Sequence, residues 1–211
     1  MATISHSDKR KSEIIRACRE LYQTMAFKDI TIKEISEYTS FSRPSIYNYF
    51  ATKESIFLEI FREEYTLWCD DMDAIITKYK ALNVKSFADK LARTLENRPV
   101  LLKLLSMNLY DLEENCSLAD LTMFKREYRR ALDSVEHLLA VYFPRMNKSA
   151  RAKFIYTFFP FMFGLYPYAN VTQKQKQAMI SAGIKFPTKQ VYDFAYQTIF
   201  LLLNNQGGAH E

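Results

Sequence analysis

The chain has 211 residues, 48% hydrophobic and 25% charged, which are the proportions of a folded protein with length for one compact unit or two small domains. Its four glycines, Gly164, Gly183, Gly207 and Gly208, stand where average usage would give about fifteen. Their absence before residue 164 excludes glycine-rich phosphate loops, dinucleotide fingerprints and nucleophile elbows from most of the chain, and counts against a series of tight hairpins. Lys and Arg outnumber Asp and Glu by 29 to 24, a net +5 that suggests an anionic partner such as nucleic acid or a membrane surface.

In chain order, helical periodicity dominates. Ile14, Ile15, Cys18, Leu21, Tyr22 and Met25 recur at three- and four-residue steps and define one apolar stripe. Thr31-Ile-Lys-Glu34 has the form of a capping box, the threonine oxygen meeting a free amide while Glu34 reaches back. Ile32 and Ile35 supply the buried face of a short helix ending near Thr39. Ser42 is placed to cap the next short helix, with Pro44 tolerated in its first turn, and Thr52 to cap a longer one. Along that longer helix Ile56, Phe57, Ile60, Phe61, Leu67, Trp68, Met72, Ile75, Ile76 and Tyr79 continue the stripe. Caps at Ser86 with Asp89 and Ser117 with Asp120, and a break at Pro99, predict helices over 86–96, 99–111, 117–143, 149–167 and 188–205. No alternating strand pattern or internal repeat appears, and the tail 204–211 is expected to be loose. The chain is expected to be all-α.

Cys18, Cys69 and Cys116 are odd in number, far apart and without a C-x-x-C pair, which points to a reducing, intracellular compartment. The polar N-terminus has no apolar core of a signal peptide, so a cytoplasmic location is expected.

Two short helices joined by Thr39-Ser40-Phe41 and preceded by an amphipathic helix have the proportions of a helix-turn-helix. In the second, Ile46 and Phe50 are four apart and can face the core with Phe41, leaving Arg43, Pro44, Ser45, Tyr47 and Asn48 outward. That set contains no acid and fits a major groove, where arginine reads guanine and serine or tyrosine donates to phosphate. Lys53, beside the free amides of the next helix start, makes an anion site. A solvated helical hairpin would show the same spacing.

Thr31-Ile-Lys-Glu-Ile-Ser, Phe41-Ser-Arg-Pro-Ser-Ile-Tyr-Asn-Tyr-Phe and Thr52-Lys-Glu-Ser-Ile-Phe together resemble the N-terminal domain of the TetR family of transcriptional regulators, over roughly residues 10–60. The resemblance implies a three-helix helix-turn-helix DNA-binding domain, 1–55, joined by a long helix to a C-terminal helical ligand-binding and dimerisation domain, 56–211. By position, Ser42, Arg43, Pro44, Ser45 and Tyr47 would face bases, and Thr31, Tyr49 and Lys53 would hold phosphates. It implies a repressor that binds a palindromic double-stranded DNA operator as a homodimer and is released by a small, largely apolar or planar effector. The family often has glycine where this chain has Ala26 and Ser40, so slight strain is expected if either backbone is left-handed. The rival reading is a helical interaction protein that binds a protein partner, with DNA only an anchor.

Residues 154–173 carry no charge and include eight aromatics, long enough to reach the membrane-spanning threshold. Pro160, Gly164, Pro167, Asn170 and several hydroxyls make a buried helix the better reading. By family position this helix lines the effector pocket and reaches the dimer interface, although such a stripe is also plain packing. Expected pocket walls are Leu91, Leu104, Met107, Tyr110, Phe124, Tyr128, Phe158 and Met162. Phe161 with Val191, Phe194, Ala195, Thr198, Ile199 and Leu202 are expected at a dimer interface formed as a four-helix bundle. His6, His137 and His210 are scattered, and Glu113-Glu114 and Asp70-Asp71 diverge on their helices, so neither a catalytic constellation, a metal site nor a cofactor is expected. Residues 137–192 hold eight Lys or Arg and no acid, while 1–55 hold nine against seven. Most of the excess charge therefore lies outside the expected DNA-reading domain, as a solvated face or as an attractor for an anionic effector.

Overall fold

The computed structural model describes residues 6–107, 109–185 and 189–204. All regular structure among them is helical: α1 (His6–Thr24), a 3-10 turn (Phe27–Asp29), α2 (Ile32–Glu37), α3 (Arg43–Tyr47), α4 (Lys53–Lys78), α5 (Val84–Glu96), α6 (Pro99–Leu105), α7 (Leu109–Glu114), α8 (Leu118–Tyr142), α9 (Lys148–Ala169), α10 (Gln173–Ser181) and α11 (Val191–Asn204). They form two compact units. The first comprises residues 6–64 with 109–128, the second 65–107 with 129–185 and 189–204. The sequence division near residue 55 follows the helix-turn-helix, whereas the packing of the first unit runs on to Glu64 and takes in α7 and the start of α8. The tail 205–211, expected to be loose, lies outside the described residues.

Several local expectations hold. Thr31 closes a two-way capping box with Glu34 on α2. The Ser55 amide donates to Thr52 Oγ1 at 3.1 Å, and the Asp120 amide to Ser117 Oγ at 3.1 Å. Other assignments change. Ser42 occupies the position ahead of α3, but its hydroxyl meets the Ser45 hydroxyl at 2.9 Å and caps no amide. Ser86 is already inside α5, where its amide donates to the true cap, Asn83 Oδ1, at 2.9 Å. The helix expected over 99–111 stops at Leu105, because Ser106 turns its hydroxyl back onto the Lys103 carbonyl at 2.7 Å and competes with the helical ladder. On α4, Leu67 is exposed and Tyr65 is buried in its stead; a 3.6-residue period carried from Phe61 through Trp68 passes through 64 and 65, not 67. The strain expected at Ala26 and Ser40 is absent, since no described residue other than glycine has a positive φ.

α10 was not anticipated from periodicity, because none of its residues is buried and no apolar stripe exists to be read. Its ends are nevertheless written in the chain. Thr172 and Gln175 form a capping box. Gly183, at φ 71°, turns the backbone so that its amide reaches Ile180 O and that of Ile184 reaches Met179 O, a Schellman closure that favours glycine.

The second unit is built on aromatic packing. Trp68 meets Phe159 edge-on at 5.9 Å and Phe87 meets Phe143 at 5.0 Å, while α11 lies along α5 and α9 and buries Ala195, Ile199 and Leu203. Pro160 and Pro167 sit inside α9, leaving the carbonyls four residues earlier without their helical donors. No described helix is long and apolar enough to cross a membrane. Arg98 closes α5 against α4 through two bonds to Asp71, at 2.7 and 2.9 Å. The indole N–H of Trp68, fully buried, donates to Thr94 Oγ1 at 2.9 Å. Thr94→Val retains shape but strands that donor, and should lower stability by about 1–3 kcal/mol in urea denaturation, whereas Thr94→Ser should cost less than half as much.

Candidate nucleic-acid interface

The first unit is organised to present α3. A five-residue helix cannot sustain itself, so its orientation comes from what it buries. Ile46 is fully buried and Phe50 nearly so, as the four-residue spacing requires, and Phe41 is half-buried beneath the Arg10 guanidinium at 5.3 Å. The opposite face carries Ser42, Arg43, Pro44, Tyr47 and Asn48, all exposed, with Ser45 half-buried. No Asp or Glu lies between Glu37 and Glu54, and Arg43 has no ion pair among the described residues. The five residues expected to face bases are thus gathered on one short, acid-free surface.

The turn before α3 is held from α1. Glu13 Oε1 accepts the Ser40 amide at 2.7 Å, and that backbone bond is the main reason its carboxyl is held below the usual value. Arg10 Nη1 donates to the Tyr49 hydroxyl at 3.4 Å on the other side of α3. Sequence reading did not single out Arg10 or Glu13. Their roles depend on residues 27 to 39 positions away, beyond the reach of a helical period.

The three residues expected to hold phosphates are placed differently from one another. Thr31 is exposed, and its oxygen accepts the Glu34 amide at 3.4 Å, which leaves its own O–H to donate. Tyr49 is half-buried, with its O–H likewise able to donate. Lys53 is turned inward: its ammonium donates to the carbonyls of Phe27 at 2.9 Å and Ile30 at 3.0 Å and sits 4.2 Å from the Phe27 ring centre. Two of its three N–H donors are therefore committed to tying the start of α4 to the turn ahead of α2. Behind them Phe57 takes Tyr22 at 5.1 Å and Phe27 at 4.8 Å, both edge-on.

The residues expected around an effector divide between the units. Leu91, Leu104, Phe158 and Met162 are buried in the second, where Met107 is half-buried. Phe124 is buried in the first against Phe61 at 4.9 Å, and Tyr128 there is half-buried. Tyr110, also in the first, is 76% exposed, so its ring lines no enclosed wall. Among the residues expected at a dimer interface, Ala195 and Ile199 are completely buried within this chain against α5 and α9, an i, i+4 stripe that packs inward. Phe161, Val191, Phe194, Thr198 and Leu202 remain half-buried, and Leu201 beside them is exposed.

In the acid-free stretch, Arg151 bonds Glu136 at 2.8 Å and Lys189 bonds Gln197 at 2.8 Å, while Arg145, Lys148, Lys153, Lys174, Lys176 and Lys185 are exposed. Burial pushes the Cys18 thiol up to about 12 and that of Cys116 to about 11, so neither is a thiolate nucleophile near neutrality. No group of three or more His, Cys, Asp or Glu among the described residues is arranged to hold a metal ion.

Two family models match the chain. Residues 14–60 match the bacterial regulatory proteins of the tetR family, and residues 62–191 match the tetracyclin repressor-like C-terminal domain. An uncharacterized HTH-type transcriptional regulator, YfiR, of Bacillus subtilis strain 168 is 36% identical over 58 residues, which is 28% of this chain and 28% of that relative. Two solved structures share the fold. A transcriptional regulator of the TetR/AcrR family from Thermobifida fusca YX-ER1 aligns at a TM-score of 0.62 and 16% identity, over 93% of this chain and 97% of that one. The fatty acid degradation regulator FadR from Bacillus halodurans aligns at 0.59 and 14%, over 96% and 97%.

Because Glu13 titrates below its usual 4.5 in the folded chain, its bond to Ser40 contributes stability above that value. The contribution is lost as pH falls through the lower folded value. Acid titration of unfolding should therefore show a loss beginning below pH 4.5 that Glu13→Gln removes, with the two proteins converging at the lowest pH.

Proposed function

The chain belongs to the TetR family of transcriptional regulators, with a helix-turn-helix DNA-binding domain, and from that premise we propose that it is a repressor that grips a palindromic operator as a homodimer. The observation that carries this reading is the outward face of α3: exposed Arg43, Pro44, Tyr47 and Asn48 with no neighbouring carboxylate. Arg43 is free to approach a guanine edge with two N–H donors, and Tyr47 offers both a ring and a hydroxyl. Thr31 and Tyr49 donate to phosphates on either side, and Lys53, with one N–H left, adds charge to the same strand. The helix-turn-helix domain spans residues 1–55 and the effector and dimerisation domain 56–211.

Two copies are joined through the half-buried side of α11 and the exposed side of α9, where Phe161, Phe194, Thr198 and Leu202 supply the contact. A dimer can fill both half-sites only when its two α3 helices are one turn of DNA apart, about 34 Å. An effector that binds better to another separation empties the operator by that difference in affinity. The apolar residues Leu91, Leu104, Phe158 and Met162 favour an apolar or planar compound, in keeping with the fatty acid degradation regulator that shares the fold. The protein carries no catalytic chemistry in this reading and works in the cytoplasm.

Gel-shift titration against the DNA upstream of the protein's own gene tests the proposal. A palindromic site should compete with random DNA by at least a hundredfold, at a stoichiometry of two chains per site. Arg43→Ala should relax preference at one symmetric base position, costing about 1–3 kcal/mol per half-site. Tyr49→Phe should weaken binding to all sequences and flatten the salt dependence. Binding no tighter than to random DNA, in a selection over genomic fragments as well, would overturn the regulator reading and favour a protein partner.

A further inference from the structure

The first unit contains a cleft of about 410 Å³ on the side of α4 that carries Ser55, Leu58, Glu59 and Arg62. The start of α1, the turn after α3 and the first turns of α8 complete its walls. Its size is in the range of small-molecule sites. Its chemistry is divided. Phe50, Ala51, Leu58 and Met123 make an apolar part, with Phe50 and Leu58 buried, and charged groups of both signs surround it.

Two of those charged groups lack the partners that burial normally demands. Arg62 bonds Glu59 through Nη1, but its Nε is buried and has no hydrogen-bond partner, the sole buried side-chain nitrogen or oxygen so left among the described residues. An unmet N–H on a charged group is costly, and an anionic oxygen satisfies it best. Lys11, on the same lining, has no ion pair among the described residues and adds a second positive charge. Asp120 presents the opposite need. The hydroxyls of Ser55 and Ser117 both donate to its Oδ2, at 3.4 and 2.8 Å, which leaves Oδ1 able to accept.

We propose that this cleft binds a small zwitterion of the amino-acid type, its carboxylate on Arg62 Nε and Lys11 and its protonated amine on Asp120 Oδ1. The apolar part takes the carbon skeleton between or beside the two charges. A simple anion would leave Asp120 facing the bound charge, and a simple amine would leave Arg62 Nε unmet. Only a compound with both groups answers both. The site shares no residue with the apolar set proposed for an effector. It draws on α1, α4 and α8 together, so its occupant would clasp the segment 109–128 to the body of the recognition unit. That consequence rests on the DNA-binding reading, whereas the binding itself does not.

Calorimetry on the full chain, without DNA, tests the assignment. The probes are leucine, γ-aminobutyrate and ε-aminocaproate, which set amine and carboxylate at increasing separation, with butylamine and butyrate as single-charge controls. At least one zwitterion should bind tenfold or more tightly than either control, and the best chain length reports the spacing of Arg62 and Asp120. Asp120→Asn and Arg62→Met should each reduce its affinity at least tenfold. Should either variant fail to fold, Lys11→Met and Ala51→Leu, both at exposed positions, keep the test decisive: the first should weaken binding severalfold and the second, by filling the cleft, should abolish it. Zwitterions that bind no better than butyrate or butylamine overturn the proposal, as does affinity indifferent to all the folded variants. Either result leaves the operator-binding reading standing, because that reading is decided by gel shift alone.

Discussion

Burial of Ile46 and Phe50 is the constraint on which the DNA-reading unit depends. α3 has five residues, too few for its own hydrogen bonds to hold it, and it persists because these two side chains are buried on one side. Each such burial contributes about 2 kcal/mol. Once they are inside, the helical period leaves Arg43, Pro44 and Tyr47 no direction but outward. Everything else in the unit keeps that seat in place: Glu13 on the Ser40 amide, Arg10 against Phe41 and Tyr49, and Lys53 tying α4 to the turn at Phe27.

Lys53 illustrates how one residue type can satisfy two readings of the same position. A lysine at a helix start beside free amides looks like an anion site, and its neighbours in sequence give no reason to doubt it. Two backbone carbonyls, at Phe27 and Ile30, lie within 3.0 Å of its ammonium and claim most of its donors. Its contribution to any phosphate contact is therefore partly indirect, through the position of the helix it begins. The Arg19 guanidinium does similar work further along, bonding both Glu63 and Glu64 and so linking α1 to α4. Burial raises the Glu63 carboxyl, opposed by that arginine.

The second unit shows aromatic density used for packing. Phe154, Phe158 and Phe159 of α9 are buried, while Tyr156 and Tyr168 point outward and are largely exposed. On α11, Tyr192, Tyr196 and Phe200 stack in succession at 5.8 and 6.0 Å, with the Tyr192 hydroxyl bonded to Asp89 of α5 at 2.8 Å. The excess positive charge of the chain surrounds this core chiefly as exposed lysines, so the net charge that first suggested an anionic partner sits mostly away from the surface that reads DNA.

Period, caps and turn residues determined by themselves that this chain is helical, where most helices begin, and which side of α3 faces out, because each of those follows from contacts within about four residues. The family resemblance was legible for the same reason, its motifs being local. Tertiary structure alone decided the rest. It decided that Glu13 buttresses the turn, that Lys53 faces inward, that Ala195 and Ile199 are covered by their own chain, and that 109–128 packs with the recognition unit. It also brought Arg62 and Asp120 to one cleft. Each of these depends on which distant surface arrives opposite a given residue, and a one-dimensional pattern records the residue's own face but not what will meet it.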